Sequence, residues 1–141
     1  MWPCNLSWYE SMRVLIVEDE LLVAMEMESI LQSNGIAVSG CASNIAEAQN
    51  IVRERECDFA LVDINLADGD SGLSLASWLA EQNIPSLHVS GNCPADRDAT
   101  SAVGCLRKPF SPGDLIGSLK AVQAVLVDTP PKTLPAGLAL F

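Results

Sequence analysis

Basic residues are scarce in this chain. Eight lysines and arginines stand against eighteen aspartates and glutamates, a formal charge of −10. That balance argues against direct nucleic-acid binding, which rests on neutralising phosphates with Lys and Arg. Aromatic residues supply only 5% of the chain while hydrophobic residues supply 49%. An aliphatic α/β core is therefore favoured over an aromatic β-sandwich. Five cysteines occur, at positions 4, 41, 57, 93 and 105. Their number is odd and no two stand as C-x-x-C, so no zinc or redox motif of that kind is present. They read as reduced, mostly buried thiols of a cytoplasmic protein. No apolar run approaches the ~18 residues of a membrane span, so no membrane insertion is expected. Residues 1–12 lack a basic segment followed by an apolar core, which leaves no signal peptide.

What is present is a set of short apolar runs separated by helix-length spacers. The 141 residues suit one domain and can bury a sizeable core. Strands are expected over 14–18, 36–41, 58–63, 84–90 and 103–107. Between the first two, Leu22, Val23, Met27, Ile30 and Leu31 recur at helical spacing, and Asn34-Gly35 stops the helix. Ser43 is expected to cap a second helix with the stripe Ile45, Ala48, Ile51 and Val52. A third helix covers about 71–82 with Leu73, Leu75, Ala76 and Leu79. Ser111-Pro112 opens the last, a cap followed by proline at the first helical position. Its stripe is Leu115, Ile116, Leu119, Val122 and Leu126. Strands alternating with helices imply a parallel sheet covered on both faces. Residues 92–102 hold hardly any apolar stripe, so a helix there is poorly anchored. Residues 1–12 and 128–141 fall outside the plan, as an N-terminal extension and a C-terminal tail around a domain spanning 13–127. No room remains for a DNA-binding or catalytic output domain.

The strand ends carry the chemistry. Asp63 closes the run Phe59-Ala60-Leu61-Val62, and a carboxylate there is costly unless something pairs with it. The first run ends in Glu18-Asp19, the fourth in Ser90 and the fifth in Lys108-Pro109. Ligands of parallel α/β sheets bind just beyond the carboxyl ends of the strands. Three acids, a hydroxyl and a lysine thus converge on one crevice, a set suited to a divalent cation and a phosphoryl group. His88, the single histidine, lies two before Ser90 and reads as a satisfied core residue.

These pieces, Val14-Leu-Ile-Val-Glu-Asp-Glu20, Leu61-Val-Asp-Ile-Asn-Leu66, Val89-Ser-Gly91 and Lys108-Pro-Phe110, resemble the receiver domain of two-component response regulators. The resemblance covers about residues 13–127. It implies a flavodoxin-like (βα)5 fold, an α/β five-stranded parallel sheet in the order 2-1-3-4-5. It also implies Asp63 as phosphoacceptor, forming an aspartyl phosphate. Mg²⁺ would be held by Asp19, Asp63 and the backbone carbonyl of Asn65. Glu18 stands where the family most often has Asp, and its longer arm would reach the Mg²⁺ directly or through water. Ser90 would hydrogen-bond a phosphoryl oxygen and Lys108 would neutralise its charge. Asn65 and Asn92 flank the acceptor and Ser90 at positions that affect water access. Lys108-Pro109 falls at the family's cis peptide. The donor would be a histidine kinase or histidine phosphotransfer protein, and the output a change in affinity for a further protein. Such a chain is a phosphoacceptor that assists its own phosphorylation rather than an enzyme.

One departure is plain. Receivers commonly carry Tyr or Phe three residues before the site lysine; here the position is Cys105. The stretch 85–92 is similar to alphaproteobacterial receivers that lack this switch aromatic. Phosphorylation is then expected to act by ordering or shifting 92–102. Two other readings compete: a receiver-fold interaction module that is never phosphorylated, and a phosphatase of haloacid-dehalogenase type. The second needs an acid two residues after the nucleophile, where this chain has Asn65. A flavodoxin is excluded because Glu18-Asp19-Glu20 would repel a flavin phosphate.

Overall fold

Aliphatic runs buried on both faces become the strands of a single sheet. The computed structural model describes residues 11–66 and 71–141. In chain order these hold β1 (Arg13–Val17), α1 (Leu21–Ser33), β2 (Ala37–Ala42), α2 (Ile45–Glu54), β3 (Phe59–Val62), α3 (Ser71–Glu81), β4 (Ser86–Ser90), a short 3-10 turn (Arg97–Ala99), β5 (Gly104–Arg107), α4 (Pro112–Leu126) and β6 (Leu138–Leu140). The sheet order is β2-β1-β3-β4-β5-β6. Its first five strands run parallel in the expected 2-1-3-4-5 order, and β6 pairs antiparallel to β5. This is the flavodoxin-like strand order expected from the sequence, with one strand added.

Strand alternation divides the core in two. Val14 and Ile16 point with Leu61, Leu87 and Leu106 toward α1 and α4. Leu15 and Val17 point with Ala60 and Val62 toward α2 and α3. The helix stripes largely follow expectation: Met27, Ile30 and Leu31 on α1, Leu75, Ala76 and Leu79 on α3, and Leu115, Ile116, Leu119 and Val122 on α4 are all buried. Leu22 is an exception: it lies in the first turn of α1 and is 79% exposed. The α4 start is a full capping box between Ser111 and Asp114, with proline in the first turn. The α2 cap is Asn44 rather than Ser43. The Asn44 side chain accepts from the Glu47 N–H at 2.9 Å, and Ser43 instead donates its N–H and hydroxyl to the Glu47 carboxylate.

Three sequence expectations need correction. The cysteines are not all reduced thiols, because Cys93 and Cys105 form a disulfide. Cys41 is exposed and Cys57 half-buried, while Cys4 lies outside the described residues. Adjacent parallel strands bring positions 93 and 105 together, a proximity that spacing along the chain does not express. The tail is not wholly outside the plan. Residues 138–140 extend the sheet, with Leu138 buried. At the other end Met12, which the sequence pattern places in the extension, is 1% exposed and belongs to the core. Between β4 and β5 the structure has one 3-10 turn in place of a helix, as the missing apolar stripe anticipated.

Gly104 is what lets β6 approach. A Cβ added there would lie 2.4 Å from the Ala139 carbonyl oxygen.

Candidate functional site

The carboxyl ends of β1, β3, β4 and β5 deliver the polar residues to one edge. Backbone pairing carries each chain segment just past its strand: the Glu18 N–H bonds Ala42, the Asp63 N–H bonds Val17, and the Lys108 N–H bonds Ser90. Glu18 and Asp63 therefore leave neighbouring strands side by side, and Lys108 arrives beside Ser90. The Lys108–Pro109 peptide is cis.

Glu18, Asp19 and Asp63 form a cluster whose ligand oxygens all lie within 4.8 Å of one another. Glu18 and Asp63 are buried and Asp19 is exposed. Lys108 Nζ donates to Glu18 Oε1 at 2.5 Å and to Asp63 Oδ2 at 3.2 Å. The Lys108 side chain is 18% exposed, the Glu18 side chain 0%. This is a nearly dry ion cluster, in which a missing partner would leave a buried charge unpaired. Burial pushes the Glu18 carboxyl up to about 7, against the opposing pull of Lys108 and of the Glu20 N–H. Burial works to lower the Lys108 ammonium, but Glu18 and Asp63 outweigh it and hold its pKa above the usual lysine value.

The remaining expected residues surround this cluster. The Asn65 N–H points back to Asp63 Oδ1 at 3.4 Å, so the chain turns tightly just after the acid. Ser90 is fully buried, and its hydroxyl accepts from the Asn92 N–H at 3.2 Å. His88 is buried as expected: Nδ1 lies 3.0 Å from the Val62 carbonyl and Nε2 lies 2.7 Å from Thr100 Oγ1. A carbonyl only accepts, so Nδ1 carries the proton and Nε2 takes the Thr100 hydroxyl. Burial lowers the His88 pKa.

Gly72 has a role that sequence reading missed. A Cβ there would fall 2.0 Å from the Asp63 carbonyl oxygen and 2.6 Å from the Ile64 Cα. Its N–H bonds the Ile64 carbonyl at 3.1 Å. Only glycine lets the start of α3 pack directly on the backbone of the acid. In the sequence Gly72 closes a Gly-rich run, Ala67-Asp68-Gly69-Asp70-Ser71-Gly72, of which positions 67–70 lie outside the described residues.

A parallel α/β sheet covered on both faces, with an acid cluster at its carboxyl edge, offers oxygen ligands to a hard cation. The donor set fits Mg²⁺, which takes oxygen ligands from one or two carboxylates and keeps several waters. The response regulator receiver domain family matches residues 14–120, and the chain belongs to it. Receiver domains generally bind Mg²⁺ at an acidic pocket of this kind. The aerobic respiration control protein ArcA of Escherichia coli is 34% identical over 110 residues, covering 72% of this chain and 44% of ArcA. The phyllosphere-induced regulator PhyR of Methylorubrum extorquens is 44% identical over 79 residues, covering 55% of this chain and 30% of PhyR. The chain thus spans under half the length of either relative. The solution structure of the Erythrobacter litoralis PhyR response regulator REC domain is 28% identical at a TM-score of 0.70. That match covers 88% of this chain and 97% of the other. Among the described residues no helix is long and apolar enough to cross a membrane.

Proposed function

We propose that this protein accepts a phosphoryl group on Asp63 from a histidine kinase or histidine phosphotransfer protein, and signals by a changed affinity for a protein partner. One observation supports this most: Lys108 lies across both Glu18 and Asp63, inside a cluster that also holds Asp19. A receiver-fold module that is never phosphorylated has no need to bury two acids and a lysine together, which is costly.

The Asp63 carboxylate oxygen attacks the phosphorus of the phosphohistidine. The new O–P bond forms as the P–N bond breaks, and the electron pair returns to the donor imidazole. Glu18, Asp19, Asp63 and the Asn65 carbonyl would hold Mg²⁺, which when bound supplies positive charge against the phosphoryl oxygens. Lys108 exchanges its carboxylate partners for the phosphoryl group as a mobile point charge. The Ser90 hydroxyl, whose oxygen accepts from the Asn92 N–H, donates its proton to a phosphoryl oxygen. Asn65 and Asn92 stand beside these groups and limit how water approaches. At the mouth, Leu21, Leu22 and Met25 are 70%, 79% and 53% exposed. Such an apolar rim on the first turns of α1 suits the docking of a helical phosphodonor.

Incubation with Mg²⁺ and acetyl phosphate tests the reading by intact mass. The expected result is one added phosphoryl group, lost in Asp63→Asn because an amide cannot be the acceptor. Label that persists in that variant would move the acceptor to another acid. No label in the wild type would leave the unphosphorylated interaction module.

A further inference from the structure

The Cys93–Cys105 disulfide spans twelve positions, with its Cα atoms 5.9 Å apart. Cys93 follows Ser90 by three residues and Cys105 precedes Lys108 by three. Strands β4 and β5 pair up to Ser90 opposite Arg107, and the Lys108 N–H bonds the Ser90 carbonyl at 3.0 Å. The disulfide therefore joins the turn that follows Ser90 to the strand that ends at Lys108. The segment it closes has few other anchors. Residues 95–99 are exposed. Beyond them the Thr100 hydroxyl meets His88, and Ala102 is buried. Ser101 Oγ also lies 3.3 Å from Ser77 Oγ. Segments with so few buried contacts open at low free energy, and the disulfide is the covalent one among the few ties that hold 93–102. Access is one-sided: Cys93 is half-buried and Cys105 is fully buried.

We infer that Cys93–Cys105 is a reducible site whose substrate is a protein dithiol, and that its redox state sets how tightly Ser90 and Lys108 hold a phosphoryl group. The second half rests on the phosphoacceptor reading above. A thiolate of the dithiol attacks the sulfur of Cys93, the less buried of the two residues, and a mixed disulfide forms as the Cys93–Cys105 bond breaks. Cys105 leaves as a thiolate and takes a proton. The second thiol of the reductant then attacks its own sulfur in the mixed disulfide and releases Cys93 as a thiol. Two electrons pass to the protein, and the dithiol becomes a disulfide. In the oxidised form the turn after Ser90 is ordered before the phosphoryl group arrives. In the reduced form part of that ordering accompanies binding. Fixing one further backbone residue weakens binding about tenfold.

The test uses the full chain, air-oxidised or treated with dithiothreitol under native conditions. Alkylation after denaturation and peptide mass should show Cys93 and Cys105 blocked in the first sample and labelled in the second. Calorimetric titration with Mg²⁺ and beryllofluoride, a phosphoryl mimic, should then give about tenfold tighter binding to the oxidised form. Cys93→Ala should match the reduced wild type and ignore dithiothreitol. Equal affinity in the two states overturns the inference alone, as does a disulfide that native dithiothreitol leaves intact. Absence of beryllofluoride binding in both states overturns the phosphoacceptor reading, and this inference with it.

Discussion

Replacing Lys108 with methionine keeps most of the side-chain volume and removes the charge that Glu18 and Asp63 share. Breaking a buried pair from one side costs about 3–5 kcal/mol, because the other charge stays buried. Here part of that penalty depends on pH, since Glu18 can escape by taking a proton. Its folded pKa, about 7, lies above the unfolded 4.5. A carboxyl shifted upward contributes stability that is full below the unfolded value and is lost as pH rises through the folded one. Without Lys108 the folded value moves higher still, so the variant keeps losing stability where the wild type has levelled off. At pH 6 both proteins hold Glu18 neutral and the Glu18 contribution to the penalty vanishes. At pH 8 the wild type has gained stability by ionising Glu18 above its pKa, and the variant has not. The expected penalty therefore grows from pH 6 to pH 8, by on the order of 1 kcal/mol.

Urea denaturation at the two pH values measures this, with slopes compared to confirm two-state unfolding. Millimolar Mg²⁺ should restore more stability to Lys108→Met than to the wild type, because the cation no longer competes with an ammonium for the carboxylates. Glu18→Gln added to Lys108→Met should also restore stability at pH 8, because the folded chain no longer has to protonate a carboxyl that is ionised when unfolded. A penalty that is equal at both pH values would show that Glu18 is not the group responsible. No penalty at either pH would make Lys108 an ordinary surface lysine and refute the reasoning.

Asp19→Ala should raise metal-free stability by about 0.5 kcal/mol, the scale of an exposed like-charge contact, and should abolish the rise in melting temperature on adding Mg²⁺. Gly104→Ala should drive the tail strand away, since its Cβ would sit 2.4 Å from the Ala139 oxygen. A loss of about 1–3 kcal/mol is expected, with faster amide exchange at 138–140; unchanged exchange there would count against the pairing. In a Glu18→Gln background, which removes the opposing slope, acidification should destabilise the protein through His88. Its folded pKa is depressed by burial below 6.5, so its contribution is full above that value and is lost as pH falls through it. Titration monitored by histidine NMR together with urea melts checks this, and a pH-independent stability from 7 to 5 would rule it out.

Position at the end of a strand made most of the site readable. Glu18, Asp63 and Lys108 each close an apolar run, and a charge in that place is tolerated only beside a partner. The same runs carried the parallel sheet, because a strand covered on both faces has no polar alternation. What stayed hidden has one physical origin, contact between segments that no period in the chain links. Cys93 and Cys105 meet because β4 and β5 are neighbours, and twelve positions of spacing between two cysteines look like nothing. Gly72 looks like one more turn glycine until the Asp63 carbonyl is found beneath it. Leu138-Ala139-Leu140 is too short for a recognisable strand pattern, and its partner Gly104 belongs to a strand that already had one neighbour. These hidden contacts are not scattered. The disulfide, the Gly72 packing and β6 all bear on the segments that hold Asp63, Ser90 or Lys108. A site at the open edge of a sheet is held in register only by the loops around it. The residues that position its chemistry are therefore the ones that strand and helix periodicity cannot reveal.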